Sequence, residues 1–180
     1  MKYMVISDIH GGIDELNKAL EIYRKEQCSK LLILGDLFSY GYTFDDSRVV
    51  IANRLNLMKD TIIAVIGNCD NDLSNVRFDM DYIKEIELND KKIVMTHGHL
   101  YTENQLLEMN KDIIYTGHTH RKRLEREGDT LLANPGSVAK SRDGENSFAI
   151  VDEKEITIRN LNNEIIDIYC FDNNKIKIRN

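Results

Sequence analysis

The stretch Lys2-Tyr3-Met4-Val5-Ile6-Ser7-Asp8-Ile9-His10-Gly11-Gly12 places a short apolar run directly before a polar turn. An apolar run of this length is typical of a buried strand, and the two glycines indicate the turn that leaves it. Leu16, Leu20 and Tyr23 then recur at helical spacing between about residues 14 and 26. The chain therefore starts with a strand, a turn that carries an aspartate and a histidine, and a helix.

The same order of elements continues through the first half of the chain. Residues 30–34 form a second predicted strand that ends in Gly35-Asp36, and residues 61–66 form a third that ends in Gly67-Asn68. A second helical pattern lies between them. This alternation of strands and helices is typical of a parallel sheet with helices on its faces.

The second half reads as hairpins and short strands. Two pairs of runs flank turn-forming residues and are predicted hairpins: residues 82–88 and 92–96 around Asn89-Asp90-Lys91, and residues 123–127 and 130–133 around Gly128-Asp129. Further strands are predicted near residue 113 and over residues 147–151, 156–160 and 165–171. The tail, residues 172–180, could add an edge strand or fray. Because no linker or repeat interrupts these elements, residues 1–180 are predicted to form one domain.

Composition argues against several classes of function. The net charge of −6 opposes a surface built to bind nucleic-acid polymers or anionic membranes. No apolar run reaches the length of a membrane span, and the first residues read as a strand rather than a signal peptide. The three cysteines are widely spaced, which speaks against a disulfide framework or a cysteine zinc site. We therefore expect a cytoplasmic protein without membrane or nucleic-acid partners, and the sequence leaves a homo-oligomer such as a dimer open.

All five histidines follow predicted strands, as do two aspartates and an asparagine. In open α/β sheets, ligands bind outside the carboxyl ends of the strands, so these side chains can converge on one crevice. Taken singly, Asp8 could cap the following helix, and Asp36 or Asn68 could be turn residues held by local hydrogen bonds. Chance explains poorly why every histidine occupies such a position. The full set is Asp8, His10, Asp36, Asn68, His97, His99, His118 and His120.

This set of side chains exceeds the ligand needs of one metal ion. Two divalent cations about 3.5–4 Å apart, with one carboxylate bridging, would use it well. Imidazole and oxygen ligands without thiolate favour manganese, iron, nickel or zinc. A water molecule between two such ions is acidified, and a phosphoryl group is the natural electrophile, because the cations neutralise its developing charge.

The same residues resemble a known family, the calcineurin-like metallophosphoesterases. The short length and the stretches Gly67-Asn68-Cys69-Asp70 and Thr96-His97-Gly98-His99-Leu100 are similar to the YfcE-type phosphodiesterases of that family. The resemblance implies an α/β fold, a four-layer αββα sandwich of two mixed sheets flanked by helices. Five blocks and one downstream motif match in order and spacing: Asp8-x-His10, Gly35-Asp36, Gly67-Asn68-x-Asp70, Thr96-His97-Gly98-His99, Gly117-His118-Thr119-His120 and Asn134-Pro135-Gly136-Ser137.

The resemblance also implies which residues hold the ions. The first ion would be held by Asp8, His10 and His120, with Asp36 bridging. The second would be held by Asp36, Asn68, His97 and His118. Asn68 and His99 are the predicted catalytic residues, and His99 would face the substrate phosphate or remain a turn histidine.

These assignments predict a dinuclear metal-dependent phosphodiesterase that hydrolyses small phosphodiesters by attack of a metal-bridging hydroxide. The expected cofactors are two divalent transition-metal ions, with manganese first and nickel, iron or zinc as alternatives. A phosphomonoesterase of the same fold is the second hypothesis. A non-catalytic scaffold is the third, since a subunit of the retromer coat resembles this family, but such relatives tend to lose metal histidines.

The sequence leaves the roles of three features near the blocks undecided. Cys69 stands where many members of the superfamily carry a histidine that assists the leaving group, so it is either a weak proton donor or a small buried residue. No lysine or arginine lies inside the blocks, and the nearest are Arg121 and Lys122. The ions are therefore expected to supply most of the positive charge. The aromatic loop of residues 39–44 could line the pocket or cover the core.

Overall fold

Two β-sheets that pack face to face form the centre of the structure, a computed structural model that describes residues 1–39, 46–173 and 175–178. The helices in these ranges are α1 (Ile13–Lys25), α2 (Asp46–Asn56) and α3 (Glu103–Leu107), and short 3-10 turns lie at Lys59–Thr61 and Phe171–Asn173. The strands, numbered in chain order, are β1 (Tyr3–Ile6), β2 (Lys30–Ile33), β3 (Ile62–Val65), β4 (Met80–Asp81), β5 (Ile83–Leu88), β6 (Lys91–Thr96), β7 (Ile113–Tyr115), β8 (Lys122–Glu127), β9 (Thr130–Pro135), β10 (Ser147–Val151), β11 (Glu155–Asn160), β12 (Ile165–Cys170) and β13 (Lys175–Ile178).

Both sheets are mixed. The first has the strand order β13-β12-β11-β10-β1-β2-β3-β4, with β1 to β4 parallel and the pairs from β1 through β10 to β13 antiparallel. The second has the order β5-β6-β7-β9-β8, in which β6, β7 and β9 are parallel and an antiparallel hairpin forms each edge. The parallel strands of each sheet therefore end on a common side.

The parallel strands are buried on both faces, which explains their continuous apolar sequences. In β1, Tyr3 and Val5 pack between the two sheets, whereas Met4 and Ile6 pack towards the helices. Tyr3 also shares a hydrogen bond with Tyr115 of β7, with 3.1 Å between the two hydroxyl oxygens. A buried hydrogen bond thus links the two sheets through the core between them.

Helices cover the outer faces of both sheets. Leu16 of α1 and Ile51 of α2 belong to the apolar core on the outer side of the first sheet. On the second sheet, Leu106 of α3 packs with Ile114 of β7. No helix in the described ranges is long and apolar enough to cross a membrane. The layers run helix, sheet, sheet, helix, which confirms the predicted αββα sandwich of two mixed sheets.

Backbone hydrogen bonds join the strand ends on one side of the sandwich. Asp8 N donates to Gly35 O (3.1 Å) and Gly117 N donates to His97 O (3.0 Å). The loop after β9 then crosses to the first sheet, where Val138 N donates to Ser7 O (3.0 Å). The loops that follow the central strands of both sheets are therefore connected.

Most of the predicted elements are present. In the first predicted hairpin, Asn89 and Asp90 adopt φ values of 52° and 57°, the left-handed conformation that a tight two-residue turn needs. The tail contributes β13 at the edge of the first sheet. The sequence does not predict β4, because two residues carry no periodic signal. It also extends β12 by one residue too far, since Phe171 begins a 3-10 turn. Of the aromatic loop, only Ser39 lies within the described residues.

Candidate metal centre

The loops that follow β1, β2, β3, β6 and β7 meet on this side of the sandwich. They carry all eight side chains that the sequence singles out. Left-handed backbone is uncommon outside glycine and reverses the chain sharply. It occurs at Asp8 (φ 55°), His10 (φ 44°), Asp36 (φ 55°), His118 (φ 64°) and His120 (φ 58°).

Asp8 is fully buried at the centre of this cluster. It does not cap α1, because the N-cap residue of that helix is Gly12. Its Oδ2 accepts hydrogen bonds from the hydroxyl of the preceding serine (2.6 Å) and from the backbone N–H of residue 118 (3.1 Å). Its Oδ1 accepts no hydrogen bond from the described residues, although Nε2 of His120, His10 and His97 lie 3.2, 3.6 and 4.0 Å away. A buried carboxylate oxygen without a partner is costly, so this atom indicates a cation.

Asp36 lies between two imidazoles. Its Oδ2 is 3.3 Å from His97 Nε2 and 3.5 Å from His10 Nε2. Its Oδ1 accepts a hydrogen bond from Cys69 N at 2.8 Å. One oxygen is thus held by the backbone, and the other has imidazoles on both sides, as a bridging carboxylate requires.

Backbone carbonyls orient two of the imidazoles. His97 Nδ1 lies 2.7 Å from Leu34 O, and His120 Nδ1 lies 2.6 Å from Lys140 O. A carbonyl oxygen can only accept, so each Nδ1 carries the proton and each Nε2 presents a lone pair to the cluster. Metal-binding histidines commonly donate their other ring N–H in this way. The Nε2 atoms of His10 and His120 are 3.1 Å apart.

Asn68 and Cys69 form a small unit beside His97. Asn68 Oδ1 lies 3.1 Å from His97 Nε2, and the Asn68 amide nitrogen donates to Cys69 Sγ at 3.3 Å. Burial, together with the negative charge of Asp36, raises the pKa of the Cys69 thiol to about 12. These contacts favour the interpretation of Cys69 as a small buried residue that holds the amide of Asn68.

His118 is exposed and His99 is half-buried. Their ring centroids lie 5.1 and 5.3 Å from that of His97. Burial and the charge of His97 lower the pKa of both side chains below the ordinary histidine value, so both are neutral at pH 7. His99 Nδ1 is buried and has no hydrogen-bond partner among the described residues. His99 therefore offers a ring nitrogen that no described protein group satisfies.

The carboxylates and the oriented imidazoles shift one another's pKa values. Burial alone would raise the pKa of Asp8 and Asp36, but the neighbouring imidazoles outweigh it and hold both pKa values below the usual range. The Asp8 carboxylate in turn raises the pKa of His120. Burial lowers the pKa of His97, but Asp36 and Asp8 outweigh that effect and raise it. A bound cation would compete with protonation of these imidazoles, because a ring nitrogen must be deprotonated to bind a metal.

Asp70 is buried and has a role that its place in the third block does not reveal. Its Oδ2 accepts from Asp36 N (2.8 Å) and Gly67 N (2.9 Å). Its Oδ1 accepts from Leu37 N (2.8 Å) and Phe38 N (3.4 Å). This carboxylate ties the loop after β2 to the loop after β3 and so fixes the backbone of Asp36.

Two glycines allow the loops to approach closely. A Cβ atom at Gly67 would collide with the backbone N and side-chain Oδ1 of Asp36. A Cβ atom at Gly117 would collide with Ser7 Oγ and lie 3.0 Å from Asp8 Oδ2. Gly117 therefore lets the backbone pass close beside the site.

The donor set fits divalent cations. Imidazole nitrogens and carboxylate oxygens are the ligands that manganese, iron, nickel and zinc accept, and the unpartnered Asp8 Oδ1 lies among the imidazole Nε2 atoms. Within the described residues, three groups bring their donor atoms within 4.8 Å of one another: Asp8, His10 and His120; Asp8, Asp36 and His97; and His10, Asp36 and Cys69.

Comparison with known proteins identifies the family. Residues 1–155 match the calcineurin-like phosphoesterase superfamily domain. Phosphodiesterase YfcE of Escherichia coli (strain K12) is 30% identical over 175 residues, which cover 92% of this chain and 95% of that protein. A solved structure of the E. coli phosphoesterase YfcE gives a TM-score of 0.85 and covers 94% of this chain and 99% of that chain. Phosphodiesterase MJ0936 of Methanocaldococcus jannaschii is 26% identical over 89% of this chain and 98% of that protein.

The fold also occurs in Vps29. Wild-type Vps29 of Entamoeba histolytica, complexed with zinc, gives a TM-score of 0.63 at 21% identity and covers 99% of this chain and 97% of that chain. At this level of sequence identity, the structural similarity shows only a shared fold.

The domain match contains all five sequence blocks, and the YfcE match covers nearly the whole chain. Both confirm the resemblance that the sequence predicts, together with its enzyme class, a phosphoric ester hydrolase. This chain belongs to the calcineurin-like phosphoesterase superfamily.

Proposed function

We propose that this chain is a dinuclear metal-dependent phosphodiesterase that hydrolyses small phosphodiesters. The observation that carries the proposal is the position of Asp36, whose Oδ2 lies 3.3 Å from His97 Nε2 and 3.5 Å from His10 Nε2. A carboxylate oxygen between two ligand groups suits a pair of ions. The phosphodiesterase relatives YfcE and MJ0936 support a diester as the substrate.

The proposed ligands divide between two ions that share Asp36. The first group is Asp8, His10 and His120, and the second is Asn68, His97 and His118. When bound, the two ions would supply an acidified water nucleophile and neutralise charge on the phosphoryl group. Manganese is the proposed metal because imidazole and oxygen donors suit it, and nickel, iron and zinc are the alternatives.

The chain's own residues keep these donors in place. Ser7 Oγ holds one oxygen of Asp8, and Cys69 N holds one oxygen of Asp36. The carbonyl of Leu34 fixes the imidazole of His97. The carbonyl of Lys140 fixes that of His120 in the same way. Because the donors are already oriented, binding of ions and substrate requires little rearrangement, which is how preorganised sites stabilise a transition state.

His99 is proposed to contact the substrate phosphate. Its ring lies beside those of His97 and His118, it is half-buried, and its Nδ1 has no partner in the described residues. Burial lowers its pKa, so the ring is neutral and carries one N–H. That N–H can donate to a phosphoryl oxygen. Asn68 would act beside it by presenting its amide oxygen to the second ion.

A phosphomonoesterase is the second candidate, since the same donors would serve it. Cys69 counts against it, because a thiol is a poor proton donor and the leaving groups of monoesters need more acid help. For the same reason we expect aryl phosphodiesters to be cleaved faster than alkyl ones. A non-catalytic scaffold, the third hypothesis from the sequence, is the least favoured candidate, because the set of proposed donors is complete.

The test starts from purified protein stripped with chelator. Hydrolysis of bis-aryl and mono-aryl phosphates is measured after manganese, nickel, zinc or magnesium is restored, and bound metal is counted by elemental analysis. We expect two ions per chain and faster diester hydrolysis. Asp36→Asn and His118→Ala should each bind less metal. The activity of each variant should fall by about 100-fold or more. His99→Gln should retain both ions and lose roughly 100-fold in kcat.

Three results would count against parts of this proposal. If no metal restores hydrolysis of either ester, or if Asp36→Asn and His118→Ala keep full activity, the chain is not such an enzyme. Faster hydrolysis of the mono-aryl ester would favour the second candidate. Loss of metal in His99→Gln would make His99 a ligand rather than a substrate contact.

A further inference from the structure

A cleft of about 400 Å³ opens beside the candidate metal centre. It is lined by His10, Ser39, His120, Lys140 and Arg142. Its volume lies within the range of small-molecule sites, about 300–1,000 Å³. The cleft therefore joins two of the proposed metal ligands to two cationic side chains that follow the last sequence block.

The segment that carries the two cations is held against the metal centre. Ser137 Oγ accepts a hydrogen bond from Lys140 N (2.7 Å) and donates to Asp8 O (2.8 Å). Arg142 N donates to His120 O (3.0 Å), and His120 Nδ1 donates to Lys140 O (2.6 Å). The side chains of Lys140 and Arg142 thus extend from a backbone that is fixed to two proposed ligands.

Neither cation is neutralised within the described part of the chain. Lys140 and Arg142 are exposed and form no ion pair or side-chain hydrogen bond there. The neighbouring acid, Asp143, is engaged by Lys122, whose Nζ lies 2.5 Å from Asp143 Oδ1 and whose backbone N donates to Asp143 Oδ2 at 2.6 Å. A protein of net charge −6 therefore keeps two uncompensated positive charges at the mouth of this cleft. Such a local field attracts anionic groups.

The reacting diester is a monoanion, and two metal ions suffice to neutralise it. An additional guanidinium and ammonium suit a second, doubly charged group, because arginine binds phosphate through paired hydrogen bonds and lysine adds a point charge. We infer that Lys140 and Arg142 select phosphodiesters that carry a terminal phosphate on one ester arm. The inference rests on the proposed function and names the substrate class for that site.

The test uses phosphodiesters that share a 4-nitrophenyl leaving group and differ in the other arm, which ends in a hydroxyl, a carboxylate or a phosphate. For the manganese-loaded protein, we expect kcat/KM to be about tenfold higher with the phosphate arm than with the hydroxyl arm, mainly through KM. The carboxylate arm should gain less, because it carries one charge. In the Lys140→Gln/Arg142→Gln double variant, the preference should disappear, so that kcat/KM becomes equal for the phosphate and hydroxyl arms.

The single variant Arg142→Gln is also measured, and Arg121→Gln is its matched control. Arg121 is also exposed and also near His120 in sequence, but it does not line the cleft. Its replacement removes the same charge and should preserve the preference. Equal kcat/KM for the phosphate and hydroxyl arms in the unmodified protein, or a preference that survives in the double variant, would overturn the inference.

A binding measurement separates this inference from the proposed function. Dialkyl phosphinates with the same arms contain no ester bond, so they cannot be hydrolysed. Calorimetric titration of the manganese-loaded protein should show about tenfold tighter binding of the phosphate-ended phosphinate, dependent on Arg142. This result would support the inference even if no ester were hydrolysed. Equal affinity for the two phosphinates would refute it even if the enzyme were active.

Discussion

The Asp70 carboxylate receives four backbone N–H groups from two loops, two on each oxygen. Asp70→Asn keeps the size of the side chain but replaces one acceptor oxygen with an NH₂ group. Two buried backbone N–H groups then face a donor. We expect a loss of about 2–4 kcal/mol in the free energy of unfolding, measured by urea titration. Metal affinity should fall by about tenfold or more, because the same contacts fix Asp36.

Asp72→Asn is the control for this variant. Asp72 is exposed, and its side chain caps the N–H of Ser74, a contact that asparagine can also make. We expect a change of less than about 0.5 kcal/mol. A similarly small change in Asp70→Asn would show that the carboxylate does not hold the two loops.

Side chains with a characteristic chemistry are the part of the site that sequence can predict. The structure brings together the histidines, Asp8, Asp36 and Asn68 because each follows a strand that ends on the same side of the fold. Asp70 acts through backbone N–H groups, and the carbonyls of Leu34 and Lys140 act through atoms that every residue has. Residue type alone does not predict either role. Arg142 lies at the site because the loop after β9 crosses between the sheets.

At the level of elements, Glu26 ties the end of α1 to β11 and to the start of the chain. Its Oε1 lies 3.0 Å from both Arg159 Nη1 and Asn163 Nδ2, and its Oε2 lies 3.0 Å from Lys2 Nζ. The hydrogen bond from Asn163 and the charges of Lys2 and Arg159 outweigh partial burial and lower the pKa of Glu26 to about 2. The ionised form is therefore favoured by the folded chain.

Glu26→Gln should destabilise the protein in a pH-dependent way. Because the pKa is lower in the folded state, the ionised side chain contributes its full stabilisation above pH 4.5, and this contribution is lost as the pH falls towards 2. We expect a deficit of about 1–3 kcal/mol in the free energy of unfolding at pH 7. The deficit should shrink steadily between pH 4.5 and 3 in urea titrations.

Glu21→Gln, on an exposed position of the same helix, controls for the loss of a helix charge. It should show a small effect at every pH. A deficit in Glu26→Gln that stays constant from pH 7 to pH 3 would contradict the assigned pKa shift.

Elements were predictable where periodicity or turn chemistry was strong. The continuous apolar sequences of β1 and β2 and the Asn89-Asp90 turn are examples. The partition of strands between two sheets is different, because it depends on contacts between distant segments. Nothing in the local sequence of β9 shows that it lies parallel to β7, and β4 is too short for any pattern. The family resemblance, rather than periodicity, supplied the layered arrangement.

On the scale of the whole molecule, the candidate metal centre joins the two sheets. Asp8, Asp36 and Asn68 follow strands of the first sheet, whereas His97 and His118 follow strands of the second. Ions bound between them would act as cross-links that only the folded chain can form. Metal at about 100 times its dissociation constant should add roughly 2.7 kcal/mol of stability for each ion bound.

We therefore expect chelation to lower the melting temperature by roughly 5–10 °C for each ion removed, a range that follows from this energy and the size of the chain. Calorimetry of manganese-loaded and chelated protein measures the difference. In Asp36→Asn, which removes the proposed shared ligand, most of the shift should vanish. Identical melting temperatures with and without ions, in samples where elemental analysis finds bound metal, would refute the cross-link.

The left-handed backbone at His10, His118 and His120 has an evolutionary consequence. A side chain in this conformation costs about 1–2 kcal/mol relative to glycine. Selection for bound ions and selection for stability therefore act against each other at the same positions. A lineage released from catalysis would gain stability by placing glycine or asparagine there. The physical chemistry of these loops thus favours the loss of these histidines while the sandwich itself persists.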